Sequence, residues 1–181
     1  MEKSKEIMSR TANIIKSISN QPYILSGLRA ASRIDDPRAQ RVWPYLFESS
    51  KDNSTCFTNE EKIIYMILRL YAIHQQGKND QVCEFNRNEG RTFIDELIRL
   101  RRLLDDVNGL DRRVNNLLAT NNINYFYKQL VSLVKIMKSK NDDFKIDYVN
   151  LAKDMYYLQS YSSSKKIRLA WGKKYYKNIK Y

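Results

Sequence analysis

Chain breakers are scarce here: only five glycines and three prolines punctuate 181 residues. A many-stranded sandwich or barrel needs frequent turns rich in such residues, so the scarcity points to long helices instead. Apolar residues recur with matching periodicity. Ile7, Met8, Thr11, Ile14, Ile15 and Ile18 form one stripe, and Asn20 with Pro22 opens a second helix carrying Leu25 and Leu28. Pro37 and Pro44 bound a short helix with Val42 and Trp43. Thr58 and Glu61 form a capping box before Ile63, Ile64, Ile67, Leu68 and Tyr71. Gly77 to Gly90 is polar and patternless, and reads as the main loop.

Beyond it, Phe93, Ile94, Leu97, Leu100, Leu103 and Leu104 mark a helix that Asn108-Gly109 is expected to terminate. A shorter helix is expected from Asp111 through Leu118. Asn122 caps the next, with Ile123, Phe126, Leu130, Leu133, Val134 and Met137 as its stripe. Asp147 caps another through Leu151, Met155 and Leu158, and Ser163 or Ser164 caps the last, with Ile167, Ala170 and Trp171. Hairpin signals and repeats are missing. The expectation is an all-α chain of two small helical subdomains, 1–87 and 88–181, with no significant β-sheet.

Charge narrows the partners. The 32 Lys and Arg against 20 Asp and Glu give +12, which draws a protein toward nucleic acid, an anionic membrane or an acidic partner. The excess is local: Arg29, Arg33, Arg38 and Arg41 cluster early, and from Ser162 onward Lys165, Lys166, Arg168, Lys173, Lys174, Lys177 and Lys180 meet no acid. Met1–Arg10 lacks the apolar core of a secretory signal, and no apolar run approaches a membrane span. Cys56 and Cys83 make no disulfide framework, so a cytoplasmic setting is expected.

Catalytic signals are poor. His74 stands on an apolar helix, where a structural role outweighs that of a base, and with Cys56 and Cys83 it lacks structural-zinc spacing. The acidic doublets Asp35-Asp36, Asp105-Asp106 and Asp142-Asp143 fall at helix edges, where caps and turns are commonplace. No enzyme activity, metal or cofactor is expected. The cations carry more. Arg29 and Arg33, four apart, are expected to share a helix face; Arg112 and Arg113, like Lys165 and Lys166, are expected in a first helical turn, with Arg168 half a turn on. Lys173 extends the basic tail. For any single cation the competing reading is a solvated face. Trp171 and Tyr175, four apart, fit a core stripe, whereas Tyr156-Tyr157 and Tyr175-Tyr176 each put adjacent rings on different faces, one of which could stack on a base.

These motifs resemble the CasB family, the small subunit of the type I-E CRISPR surveillance complex, Cascade. Ile146-Asp147-Tyr148 through Leu151 to Asp154-Met155 resembles that family's Ile-Asp-Tyr-x-x-Leu-x-x-Asp-Leu helix. Ile167 to Tyr176, with Trp171-Gly172 and Tyr175-Tyr176, resembles its closing helix. Asp111-Arg112-Arg113 with Leu117-Leu118 is similar to its acid-Arg-Arg element, Leu130–Val134 to the helix after it, and Leu28-Arg29-Ala30, Pro37 and Trp43-Pro44 to its opening. Val114 stands where an aromatic is usual, Ala30 where Arg often repeats, and Leu158 where Trp is common. Ser132 takes a place that can be Arg, and Lys128 and Lys135, one turn to either side, could supply that cation.

The resemblance implies a non-catalytic, all-α protein that binds nucleic acid without sequence specificity. Two copies would lie head to tail in the complex, touching the backbone and large subunits and holding the guide RNA–target DNA hybrid and the displaced strand. Sequence reading would fall to guide pairing. The residues assigned to nucleic acid are Arg29, Arg33, Arg112, Arg113, Lys128, Lys135, Lys165, Lys166, Arg168 and Lys173. Two alternatives stand beside this: a scaffold whose basic faces dock acidic proteins, and a stand-alone helical DNA-binding protein, although no helix-turn-helix signature is present.

Overall fold

A computed structural model describes residues 2–47, 55–86, 91–140 and 143–177. The 87/88 boundary, Gly90, Asp142, Lys180 and Tyr181 lie outside them. The described residues form α1 (Glu2–Ile18), α2 (Pro22–Ala30), a 3₁₀ turn (Pro37–Val42), α3 (Trp43–Phe47), α4 (Asn59–Gln75), α5 (Phe93–Arg102), α6 (Asn108–Ala119), α7 (Ile123–Ser139), α8 (Tyr148–Tyr157) and α9 (Tyr161–Lys177). The chain is all-α, as expected.

Local chemistry sets most helix starts. Thr58 Oγ1 accepts the Glu61 N–H at 3.1 Å while Glu61 Oε2 accepts the Thr58 N–H at 2.9 Å, the reciprocal box that opens α4. Thr92 and Asp95 repeat it on α5. Asn122 Oδ1 accepts from Asn124 and Tyr125, and Asp147 Oδ1 from Asn150.

Other starts and stops differ from expectation. Pro44 does not end a helix; it sits at the second position of α3, where its missing N–H costs nothing. α5 stops at Arg102, leaving Leu103 half exposed, and Asn108-Gly109 begins α6 instead of closing α5. Asp106 Oδ1 captures the Asn108 N–H at 2.9 Å and launches that turn. α9 begins at Tyr161, before either proposed serine cap. Ser163 Oγ donates to the Tyr157 carbonyl at 2.7 Å and Ser164 Oγ to that of Tyr161 at 3.0 Å, so both hydroxyls donate to carbonyls instead of capping the first backbone N–H groups of α9. Ala170 is exposed, off the packing stripe.

α4 is buried on all sides, and α1, α2, α3, α7 and α8 pack around it. α8 also lies on α1 and α9, while α9 rests on α5 and α6. One hydrophobic cluster runs from Ile7 to Tyr175. The polar Gly77–Gly90 stretch joins it: Val82 and Cys83 are buried, and Cys83 bridges to Ile146 through Ile146 N–H to Val82 O and Glu84 N–H to Ile146 O, each 3.0 Å. Trp171, 5.9 Å from Phe93 and 5.7 Å from Phe126 between ring centroids, anchors α9 with Tyr175, bearing out the packing stripe. Tyr156 and Tyr157 are both half-buried rather than one buried and one partly exposed.

Gly27 marks the tightest approach in the fold. A Cβ there would lie 2.8 Å from the Arg38 carbonyl oxygen and 2.7 Å from Arg41 Cδ. The arginine side chain can move, but the backbone of the 3₁₀ turn cannot do so cheaply. Gly27→Ala is therefore expected to lower stability by about 1–3 kcal/mol in urea unfolding, despite alanine's better helix propensity.

Candidate nucleic-acid interface

The expected nucleic-acid residues separate by what their side chains already do. α2 ends at Ala30, so Arg33 lies beyond it and the shared helix face with Arg29 does not form. Arg33 instead pairs with Asp35 through two bonds of 2.8 and 2.6 Å, and Arg38 pairs likewise with Asp36. Arg112 and Arg113 occupy the second turn of α6, and Lys165 and Lys166 the second turn of α9, so neither pair crowds a helix N-terminus. Arg113 bends back to the Gly109 carbonyl at 2.9 Å. Lys165 sits over the Tyr161 ring, 4.2 Å from its centroid.

Arg168 is a clamp. Its guanidinium donates to the Thr120 carbonyl at 2.8 Å, to Asn121 Oδ1 and to Ser164, tying α9 to the turn between α6 and α7. By contrast, Arg112, Lys128, Lys166 and Lys173 are exposed and make no hydrogen bond or ion pair among the described residues.

The cations without internal partners fall on defined faces. Lys128 and Lys135, seven residues apart, share the outer side of α7, opposite its buried Phe126, Leu130 and Val134. Lys166, Lys173 and Lys177 recur on one exposed side of α9. α6 runs antiparallel to α9: Tyr175 OH donates to Asp111 Oδ1 at 2.7 Å, and Arg168 reaches Thr120 at the other end. Arg112 is thereby level with the C-terminal turns of α9 that carry Lys173 and Lys177.

A tighter convergence joins three elements. Lys138, in the last turn of α7, is held below the ordinary lysine range, first by partial burial and then by the charges of Arg29, Lys78 and Lys135. Its Nζ donates to Gln76 Oε1 at 2.8 Å. Lys78 and Lys138 were not legible as partners: one lies in the patternless loop, and the other passes for a dipole-matching lysine at a helix end. The Lys135/Lys138 spacing of three was the available signal. Arg29, Lys78 and Lys135 thus lie near enough to oppose the charge on Lys138, and an anion placed among them offsets that opposition.

The acids are engaged elsewhere. Asp111 accepts from Arg101 at 2.9 and 3.0 Å as well as from Tyr175, joining α5, α6 and α9. Buried Asp154 accepts the Trp171 indole N–H at 3.1 Å, and Asp95 pairs with Lys174 at 2.7 Å. No cluster of metal-ligating side chains occurs among the described residues. His74 is buried with Nδ1 3.0 Å from Tyr148 OH, and burial followed by the Lys78 and Lys138 charges lowers its pKa to about 4. Burial pushes the Cys83 thiol up to about 12 and the Glu96 carboxyl to about 7. No helix of the described residues is long and apolar enough to cross a membrane.

The fold and surface together define an all-α protein with several acids bonded between helices and exposed cations on α6, α7 and α9. The sequence matches the family CRISPR-associated protein Cse2 over residues 25–176, and the chain belongs to that family, the Cse2/CasB subunits of Cascade. CasB from Thermobifida fusca is a similar solved structure, with a TM-score of 0.67 and 18% identity over 95% of this chain and 96% of that one. CasB from M. ruber superimposes with a TM-score of 0.73 and 17% identity over 93% of each chain. No curated protein matches the sequence.

Two outcomes follow from this chemistry. Arg168→Ala is expected to cost about 1–3 kcal/mol of stability, as thermal melts will check. His74 and Glu96 oppose each other in pH. His74, depressed in the folded state, contributes stability that is complete above about 6.5 and lost as pH falls toward 4. Glu96, raised, contributes stability that is complete below about 4.5 and lost as pH rises through 7. Between pH 7.5 and 5, Glu96→Gln is expected to expose the His74 effect as a loss of roughly 2 kcal/mol, and His74→Gln to expose a gain of similar size, both read by urea unfolding at the two pH values.

Proposed function

We propose that this protein is a non-catalytic Cascade subunit that binds nucleic acid through its backbone and without sequence preference. Its strands are the guide RNA–target DNA hybrid and the displaced strand, held in the cytoplasm within an assembly that includes the backbone and large subunits and a second copy of this chain. The observation that supports this reading is the convergence on Lys138: α2 and α7 both pack on α4, Lys138 is bonded to Gln76, and the charges of Arg29, Lys78 and Lys135 oppose its own, an opposition that a polyanion offsets. Arg112, Lys128, Lys166 and Lys173 extend it as exposed point charges for successive phosphates, with Lys165 beside them. Arg33, Arg113 and Arg168 contribute less, because each already has a partner within the fold.

Phosphate contacts release counterions, so affinity depends on salt in proportion to the charges engaged. Lys135→Ala with Lys138→Ala is expected to weaken binding about equally for unrelated single strands and to reduce the slope of log K against log salt by roughly one to two. Fluorescence anisotropy across a salt series measures it. An unchanged slope overturns the assignment, and an unchanged slope with lost co-purification of other subunits points to protein docking instead.

A further inference from the structure

An open depression of about 580 Å³ lies where α1, α4, α8 and α9 meet, and none of the residues of the Lys138 convergence lines it. The rings of Tyr156 and Tyr157 line it, set edge to face with centroids 5.6 Å apart. Lys3 and Glu60, paired at 3.2 Å, line it as well, together with Ser160 and Ser163. Both rings are half-buried, and Tyr157 OH is committed to Ser4 Oγ at 3.1 Å, which fixes that ring.

We propose that this depression is a base-binding subsite: a nucleobase splayed from a single strand enters it, stacks on Tyr156 and offers its amino and imino N–H groups to the Glu60 carboxylate. The inference rests on the nucleic-acid reading above and adds to it a contact with the base rather than the phosphate. The volume exceeds that of one purine, so the base enters with its sugar at the mouth. Aromatic stacking holds any base, because every base has a π face. Glu60 supplies selectivity. A carboxylate accepts N–H donors, and guanine presents an N1–H beside a 2-amino group, two adjacent donors, whereas thymine presents a single N3–H flanked by two carbonyl oxygens that the carboxylate repels. Lys3, beside Glu60, is placed for the strand's phosphate. The subsite therefore favours guanine over thymine in an otherwise unselective protein.

The test uses the full chain and two probes. Deoxyguanosine monophosphate is titrated while the amide resonances of Ser160 and Ser163 are followed by NMR. Both are expected to shift in the parent protein and in Tyr156→Phe, which keeps the ring, but not in Tyr156→Ala. A thymine strand carrying one guanine is then compared with an all-thymine strand by anisotropy. Tyr156→Ala is expected to weaken the guanine strand roughly tenfold without altering the salt slope, and Glu60→Gln to abolish the preference. Still resonances, an unaltered guanine-strand affinity in Tyr156→Ala, or a loss that comes with a reduced salt slope each overturn the proposal. Failure of the charge reading looks different: the Lys135 and Lys138 substitutions leave the salt slope intact while the mononucleotide still shifts the serine resonances.

Discussion

The rest of the structure depends on α4 being apolar around its whole circumference. From Ile63 to His74 nearly every side chain is buried, so the helix has no face to offer solvent and must be wrapped. α1, α2, α3, α7 and α8 do the wrapping, and each turns its own stripe inward to do so. That geometry decides where charge can go. α7 commits Phe126, Tyr127, Leu130, Leu133, Val134 and Met137 to the interior and is left with Lys128 and Lys135 outside. His74, carried inward, is matched in place by Tyr148, whose ring stands edge-on to Tyr71 at 5.8 Å, whereas Thr11 Oγ1 and Arg69 Nε are buried without a hydrogen-bond partner among the described residues.

The net charge of +12 is compositional, but the fold decides which acids remain near the outer cations. Acids here are used as fasteners. Asp147 caps α8, Asp95 closes the Thr92 box and holds Lys174, Asp111 ties three helices, and Asp154 anchors the Trp171 indole. Each carboxylate that turns toward a cap or an internal donor is one fewer to screen the outer lysines. Outward repulsion and inward order thus arise from one allocation of residues.

What could be read from sequence divides along the same line. Caps at Thr58, Asn122 and Asp147 were legible because the donor and acceptor lie within three residues of each other. The stripe of Trp171 and Tyr175 was legible for the same reason. Asn108-Gly109 misled because its usual role ends helices, and only the Asp106 side chain makes it a beginning. The serines before Lys165 misled because Ser163 and Ser164 donate to carbonyls, an option the residue type leaves open. Arg168 looked like one more tail cation until Thr120, forty-eight positions earlier, came to rest against it. Lys78 joins Lys138 only through the packing of α4 on α7. Charge could be counted in advance; its company could not.

That company matters more than the total. An arginine already bonded to Asp35 or to a carbonyl must give up that partner before it meets a phosphate, so its net contribution is small. Lys138 bonds only the neutral Gln76, and burial followed by the charges of Arg29, Lys78 and Lys135 holds it below the ordinary lysine range, so an anion there favours the charge that its neighbours oppose. Binding there gains both the new contact and the relief of an existing repulsion. By linkage, whatever anion occupies the site must also stabilise the fold that assembles it. The convergence draws on α2, α7 and the loop that follows α4, and because α2 and α7 both pack on the buried α4, the cations they carry are held close together.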